Sequence, residues 1–200
     1  MMNMTSNIKN SIQTQINNMN VDEMKSKLFE LLLKEEQSNS NEPACTIIVR
    51  KSQSLDGRGV KGYYDVFIRD QENIDHEVMF HDRPSKALFV LALINGKGFQ
   101  RRAIQNNGGK MMMDIWSMLY RSTNANIEKL EEKITGSQFE HWINQAVAQA
   151  RKAIDKTLEG IDDSKWYRFS DPRSNHDMLV VPLAKDHNEK VEIDINLSEL

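Results

Sequence analysis

The chain of 200 residues contains one cysteine, Cys45, so it can form no internal disulfide and cannot build a thiolate metal site. Long apolar runs are missing too. The longest is Ala87–Ile94, far short of the span needed to cross a bilayer, and no membrane association is expected. The amino terminus, MMNMTSNIKNSIQTQINNMN, has neither a continuous apolar segment nor a small-residue cleavage site, and the expected location is the cytoplasm. Neither sign of charge dominates: the net charge is −3, which argues against a uniformly basic polyanion binder. What is present is an apolar content of 39%, enough for an ordinary core.

Charge is unevenly spread. Residues 46–121 carry twelve cations against eight acids, whereas residues 160–200 carry five against nine. An anionic partner would meet the middle of the chain. That middle contains NGKGFQRRAIQNNGGKMMM (95–113), with four glycines, four cations and no acid. Its spacing fits no phosphate loop. Gly109-Lys110 lacks both the upstream glycine and the following hydroxyl of a Walker loop, and Arg101 stands where a dinucleotide fingerprint needs its third glycine. The stretch reads as a connector between helices, with Gly98-Phe99 returning an aromatic ring to the core.

Periodicity divides the chain into a helical arm (1–36), a linker (37–45), a small antiparallel sheet (46–82) and a helical unit with a carboxy-terminal hairpin (83–200). In the arm, Ile8, Ile12, Ile16 and Met19 share one face, and Met24, Leu28, Leu31 and Leu32 another, a spacing that suits packing on its own domain, the commoner fate of such a helix, or homodimerisation with another copy. Strands are expected at 46–51, 63–70 and 76–82, with Tyr64, Val66 and Ile68 alternating inward. Pro84 opens a helix that Asn95-Gly96 ends, and further helices are expected over 110–121 and 126–134.

The segment 139–159 is the clearest. At about 100° per residue, Phe139, Trp142, Ile143, Ala146, Val147, Ala150, Ala153 and Ile154 fall on one half-cylinder, and the polar residues on the other. Strands are expected at 166–170, 177–183 and 190–195, the first two forming a hairpin with Arg173 at its tip.

This order of elements resembles the winged-helix output domain of bacterial response regulators. It is more closely similar to small uncharacterised bacterial proteins with a K-A-L-F/Y-x-L helix, here Lys86 to Leu91. In those proteins an Ile-aromatic helix follows, here Ile115-Trp116, and then a long helix, here Ile143 through Arg151 to Ala153. The likeness covers roughly residues 76–184 and implies an α+β, winged-helix-like domain preceded by a small antiparallel sheet, with an amino-terminal helical arm. It departs from the regulators in having no room for a receiver domain before the first strand. The 122–138 connection is also longer and more acidic than the usual turn before a recognition helix.

The resemblance implies that double-stranded DNA is the partner, as for a transcriptional regulator. Asn144, Gln145, Arg151 and Lys152 are residue types that read base edges, and Ala148 between them permits close approach. Arg173 on the wing, with Arg101, Arg102 and Lys110 on the connector, would contact phosphates. The alternative is a protein-interaction or dimerisation module with no nucleic-acid role.

No enzymatic site is expected. His76, His81 and Asp82 lack the spacing and companions of a zinc site, and no serine lies in a Gly-x-Ser-x-Gly elbow. Asp162-Asp163 reads as a solvated acidic turn, the methionines read as core fillers, and no cofactor is implied.

Overall fold

The computed structural model describes residues 42–52, 63–120, 124–171 and 178–195, together with Ser26. The arm that suggested dimerisation, the glycines of 53–62 and the hairpin tip at Arg173 lie outside the described residues. The chain divides into two units, Met1–Glu42 and Pro43–Leu200, and only the second is described below.

This unit is α+β. β1 (Thr46–Lys51), β2 (Tyr64–Arg69) and β3 (Asp75–Glu77) pair antiparallel, with Val49 opposite Val66 and Arg69 opposite Asp75. Val66 and Ile68 are buried as the alternation expects, and Ile47 and Val49 join them on the inner face. β3 stops at Glu77, short of the expected 76–82. Beyond it Val78 and Phe80 still point inward, while Met79 is 60% exposed.

α1 (Arg83–Asn95) begins where its caps dictate. Asp82 accepts a hydrogen bond from the Ser85 amide at 2.7 Å, proline occupies the first turn, and Gly96 closes the helix at φ 66°. Every residue from Ser85 to Leu93 is buried, so α1 is the central helix rather than an amphipathic surface one. Lys86 reaches this interior only because its ammonium meets Asp65 of β2 at 2.8 Å, where its side chain is 6% exposed.

After α1 the glycine-rich connector forms β4 (Phe99–Gln100) and a 3-10 helix (Arg101–Gly109). Phe99 returns to the core as expected. The glycines serve close approach: at Gly98 (φ 76°) a Cβ would lie 2.8 Å from the Val180 Cβ and 2.9 Å from the Leu179 carbonyl oxygen. At Gly109 (φ 82°) it would lie 2.8 Å from Ile134.

Then come α2 (Lys110–Tyr120), α3 (Asn124–Thr135) and α4 (Phe139–Thr157). The buried residues of α4 are the eight that the periodicity selects, and they pack on α1.

Of the expected 166–183 hairpin, residues 166–170 form no strand, although the Ser170 amide donates to the Val180 carbonyl oxygen at 2.9 Å. Ser164–Trp166 is a 3-10 turn, and Tyr167 and Phe169 are buried from irregular chain. Only Met178–Leu179 is a strand, β5, and it pairs with β4. Pro182 then starts a short helix, α5 (Pro182–Asp186), where an extended chain was expected.

A 3-10 turn (Asn188–Lys190) leads to β6 (Val191–Ile193), which adds to β1 in parallel. The three strands of 46–82 thus form the antiparallel meander expected, and β6 extends it on the β1 side to the order β3-β2-β1-β6. No helix among the described residues is long and apolar enough to cross a membrane.

Candidate functional site

The solvent face of α4 is set by its buried face. Because Trp142, Ile143, Ala146, Val147 and Ala150 are held in the core, Gln145, Ala148 and Lys152 are exposed and Arg151 is half-buried. These four share a surface, as the sequence led one to expect. The remaining expected contacts disperse.

Arg101 is 8% exposed, and its Nη1 donates to Asn144 Oδ1, so the connector does lie beside α4. Arg101 is thereby withdrawn from solvent, whereas Asn144 stays exposed on the α4 face with its side-chain oxygen engaged. Lys110 pairs with Asp114 at 2.6 Å within α2, and Arg102 is exposed. Arg173 is outside the described residues.

Electrostatics sharpen the α4 face. Asp155 would cancel a neighbouring cation, but Arg168 Nη1 donates to both its carboxylate oxygens, at 2.7 and 2.8 Å. Arg151, Lys152 and Lys156 carry no ion pair among the described residues. The other acids of this helix and its exit, Glu140 and Glu159, sit at its two ends. The carboxy-terminal half of the face therefore carries Arg151, Lys152 and Lys156, with Gln145 and Ala148 on its amino-terminal side.

Two other polar clusters are structural. Tyr167 OH accepts from the Cys45 amide at 2.7 Å and donates to Asp162 Oδ2 at 2.5 Å, and the same oxygen accepts from the Ala44 amide at 2.9 Å. Asp162 is thus a tether for the strand entry, where solvation was expected. Burial pushes the Cys45 thiol up to about 11, which keeps it a protonated, unreactive packing group. On the outer sheet face, Asp75 receives Arg69 at 2.7 Å and Arg50 at 2.8 Å. These partners, Arg69 foremost, hold its carboxyl below the usual carboxylate range. His76 binds Asp70 at 2.7 Å, and no group of three metal-ligating side chains occurs among the described residues.

A pocket of about 150 Å³ was not foreseen. Arg83 and Pro84 at the start of α1, Trp116 of α2, Trp142 of α4, and Asn126, Lys129, Leu130 and Lys133 of α3 line it. Three of these residues are cationic and none is acidic. Lys129 and Lys133 are one turn apart on α3, which was the legible signal; that Arg83 and two indoles complete the wall is a matter of tertiary packing.

Compared with known proteins, the chain matches no family model, no curated protein and no solved structure.

Proposed function

We propose that this domain binds double-stranded DNA through the solvent face of α4, with Gln145, Ala148, Arg151 and Lys152 as the reading residues and Lys156 as an added phosphate contact. The observation that carries this reading is the Arg168–Asp155 pair. It neutralises the acid that lies among Arg151, Lys152 and Lys156 in the last two turns of the helix, and leaves those three cations on the same side as an amide and a methyl group.

In a winged-helix-like interpretation, α2, α3 and α4 supply the helical unit and α4 the reading helix. A wing built from a 166–183 hairpin is not part of the proposal, because β5 is paired with β4. Arg101 is buried and is withdrawn as a ligand contact, and its bond to the Asn144 oxygen braces the connector against α4.

The test is retention on duplex DNA as a function of salt. The expected result is binding that weakens steeply with salt, and an Arg151→Ala/Lys152→Ala double variant whose slope of log affinity against log salt falls by about two. Retention unchanged by the double variant, or absent at low salt, would overturn the assignment.

A further inference from the structure

We infer that the pocket between α1, α2, α3 and α4 is a binding site for a small phosphomonoester, separate from the DNA-binding face. Three observations converge on it. Arg83, Lys129 and Lys133 line it without an acid, and none of the three has an ion pair among the described residues. Such a concentration of uncompensated cations in one pocket, on a chain of net charge −3, favours an anion of more than one charge.

The second observation concerns the indoles. Trp116 and Trp142 are 7% and 8% exposed, both line the pocket, and in each the Nε1–H is buried without a hydrogen-bond partner. With almost no accessible surface at either nitrogen, the indoles serve the pocket as apolar walls, and the charge of a guest is met by Arg83, Lys129 and Lys133. A phosphate group carries only acceptors at its outer oxygens, and in monoester form it bears close to two negative charges at neutral pH.

Third, the cationic wall is held in place. The Arg83 guanidinium carbon sits 5.1 Å from the centre of the Tyr120 ring, and Tyr120 OH donates to the Arg83 carbonyl oxygen at 3.1 Å. Trp116 meets Tyr120 edge-on at 5.0 Å. The volume equals that of roughly five waters, which suits a phosphate head while the rest of the ligand projects past the exposed Lys129 and Lys133.

The chain has three tryptophans, and two of them form this wall, so intrinsic fluorescence reports on it directly. The full chain is titrated with inorganic phosphate and with glycerol 3-phosphate, against sodium chloride at matched ionic strength, and heats are measured in parallel. The expected result is a saturable fluorescence change and a binding heat for both phosphates and none for chloride. A Lys129→Gln/Lys133→Gln variant, altered only at exposed positions, should fold normally by circular dichroism and bind at least about tenfold more weakly.

No saturable response up to about 10 mM ligand would overturn the proposal, as would binding indifferent to the double glutamine change. Duplex DNA is the remaining arm. If Lys129→Gln/Lys133→Gln weakens DNA retention while free phosphates do nothing, the pocket holds a backbone phosphodiester and the monoester assignment fails. DNA retention lost only in Arg151→Ala/Lys152→Ala leaves the pocket independent of the α4 face.

Discussion

Arg101 and Asn144, on separate elements, are joined through the arginine Nη1 and the asparagine side-chain oxygen, and this bond fixes the 3-10 connector to α4. Asn144→Ala removes that acceptor from a guanidinium that is almost wholly buried. The expected loss is about 2–3 kcal/mol in urea unfolding, typical of a stranded charged donor. DNA retention at a temperature where the variant is folded should change less than in Arg151→Ala/Lys152→Ala. A larger effect on DNA than on stability would mean that Asn144 reads bases after all.

The Lys86–Asp65 pair sits at the join of α1 and β2, with the lysine side chain 6% exposed. Lys86→Met alone leaves a carboxylate facing apolar neighbours and should cost about 3–5 kcal/mol. Lys86→Met combined with Asp65→Leu should recover most of that loss, since the desolvation penalty disappears along with both charges. Thermal melts of the two single variants and the double variant give the coupling directly, and additive losses would refute it.

Tyr167→Phe removes one hydroxyl that both accepts from Cys45 and donates to Asp162. The ring stays in place, so only the hydrogen bonds are lost. A destabilisation of about 1–3 kcal/mol is expected, with faster hydrogen exchange of the Cys45 amide. Unchanged protection there would mean that the amide does not depend on the phenol.

Asp75 sets part of the acid limit. Its folded carboxyl titrates below the ordinary value, chiefly through Arg69, so the stability it contributes is complete above the unfolded value near about 3.9 and is lost as pH falls through the lower folded value. Asp75→Asn should therefore be less stable than the parent at neutral pH. The gap should close as pH falls below about 4. Chemical denaturation at several pH values measures it, and a gap independent of pH would show that the aspartate acts through packing alone.

Legibility followed the range of the forces involved. The eight buried residues of α4 were readable because a helix with one packed face declares it every third or fourth position. The caps of α1 were readable because Pro84 and Gly96 act locally. Residues 166–170 misled because aromatic residues at alternate positions look strand-like, yet Tyr167 and Phe169 enter the core from irregular chain, tied by a phenol bond to Cys45 far away in sequence. Pro182 offered a helix start that the apolar run around it outweighed. At the candidate site, the exposure of Gln145, Ala148 and Lys152 followed from periodicity. The pairing of Arg101 with Asn144, the shielding of Asp155 by Arg168 and the assembly of the pocket wall did not, because each joins residues that no local pattern relates.

The parallel seating of β6 on β1 also imposes a schedule. Ile47, Ile48 and Val49 are synthesised well before their partners Val191, Glu192 and Ile193. Throughout synthesis β1 can take β2 on one side while its other side offers unanswered amides and carbonyls along an apolar strand. A chain cut before Val191 would keep that side open for good, and would be recognised by its tendency to pair with its own copies.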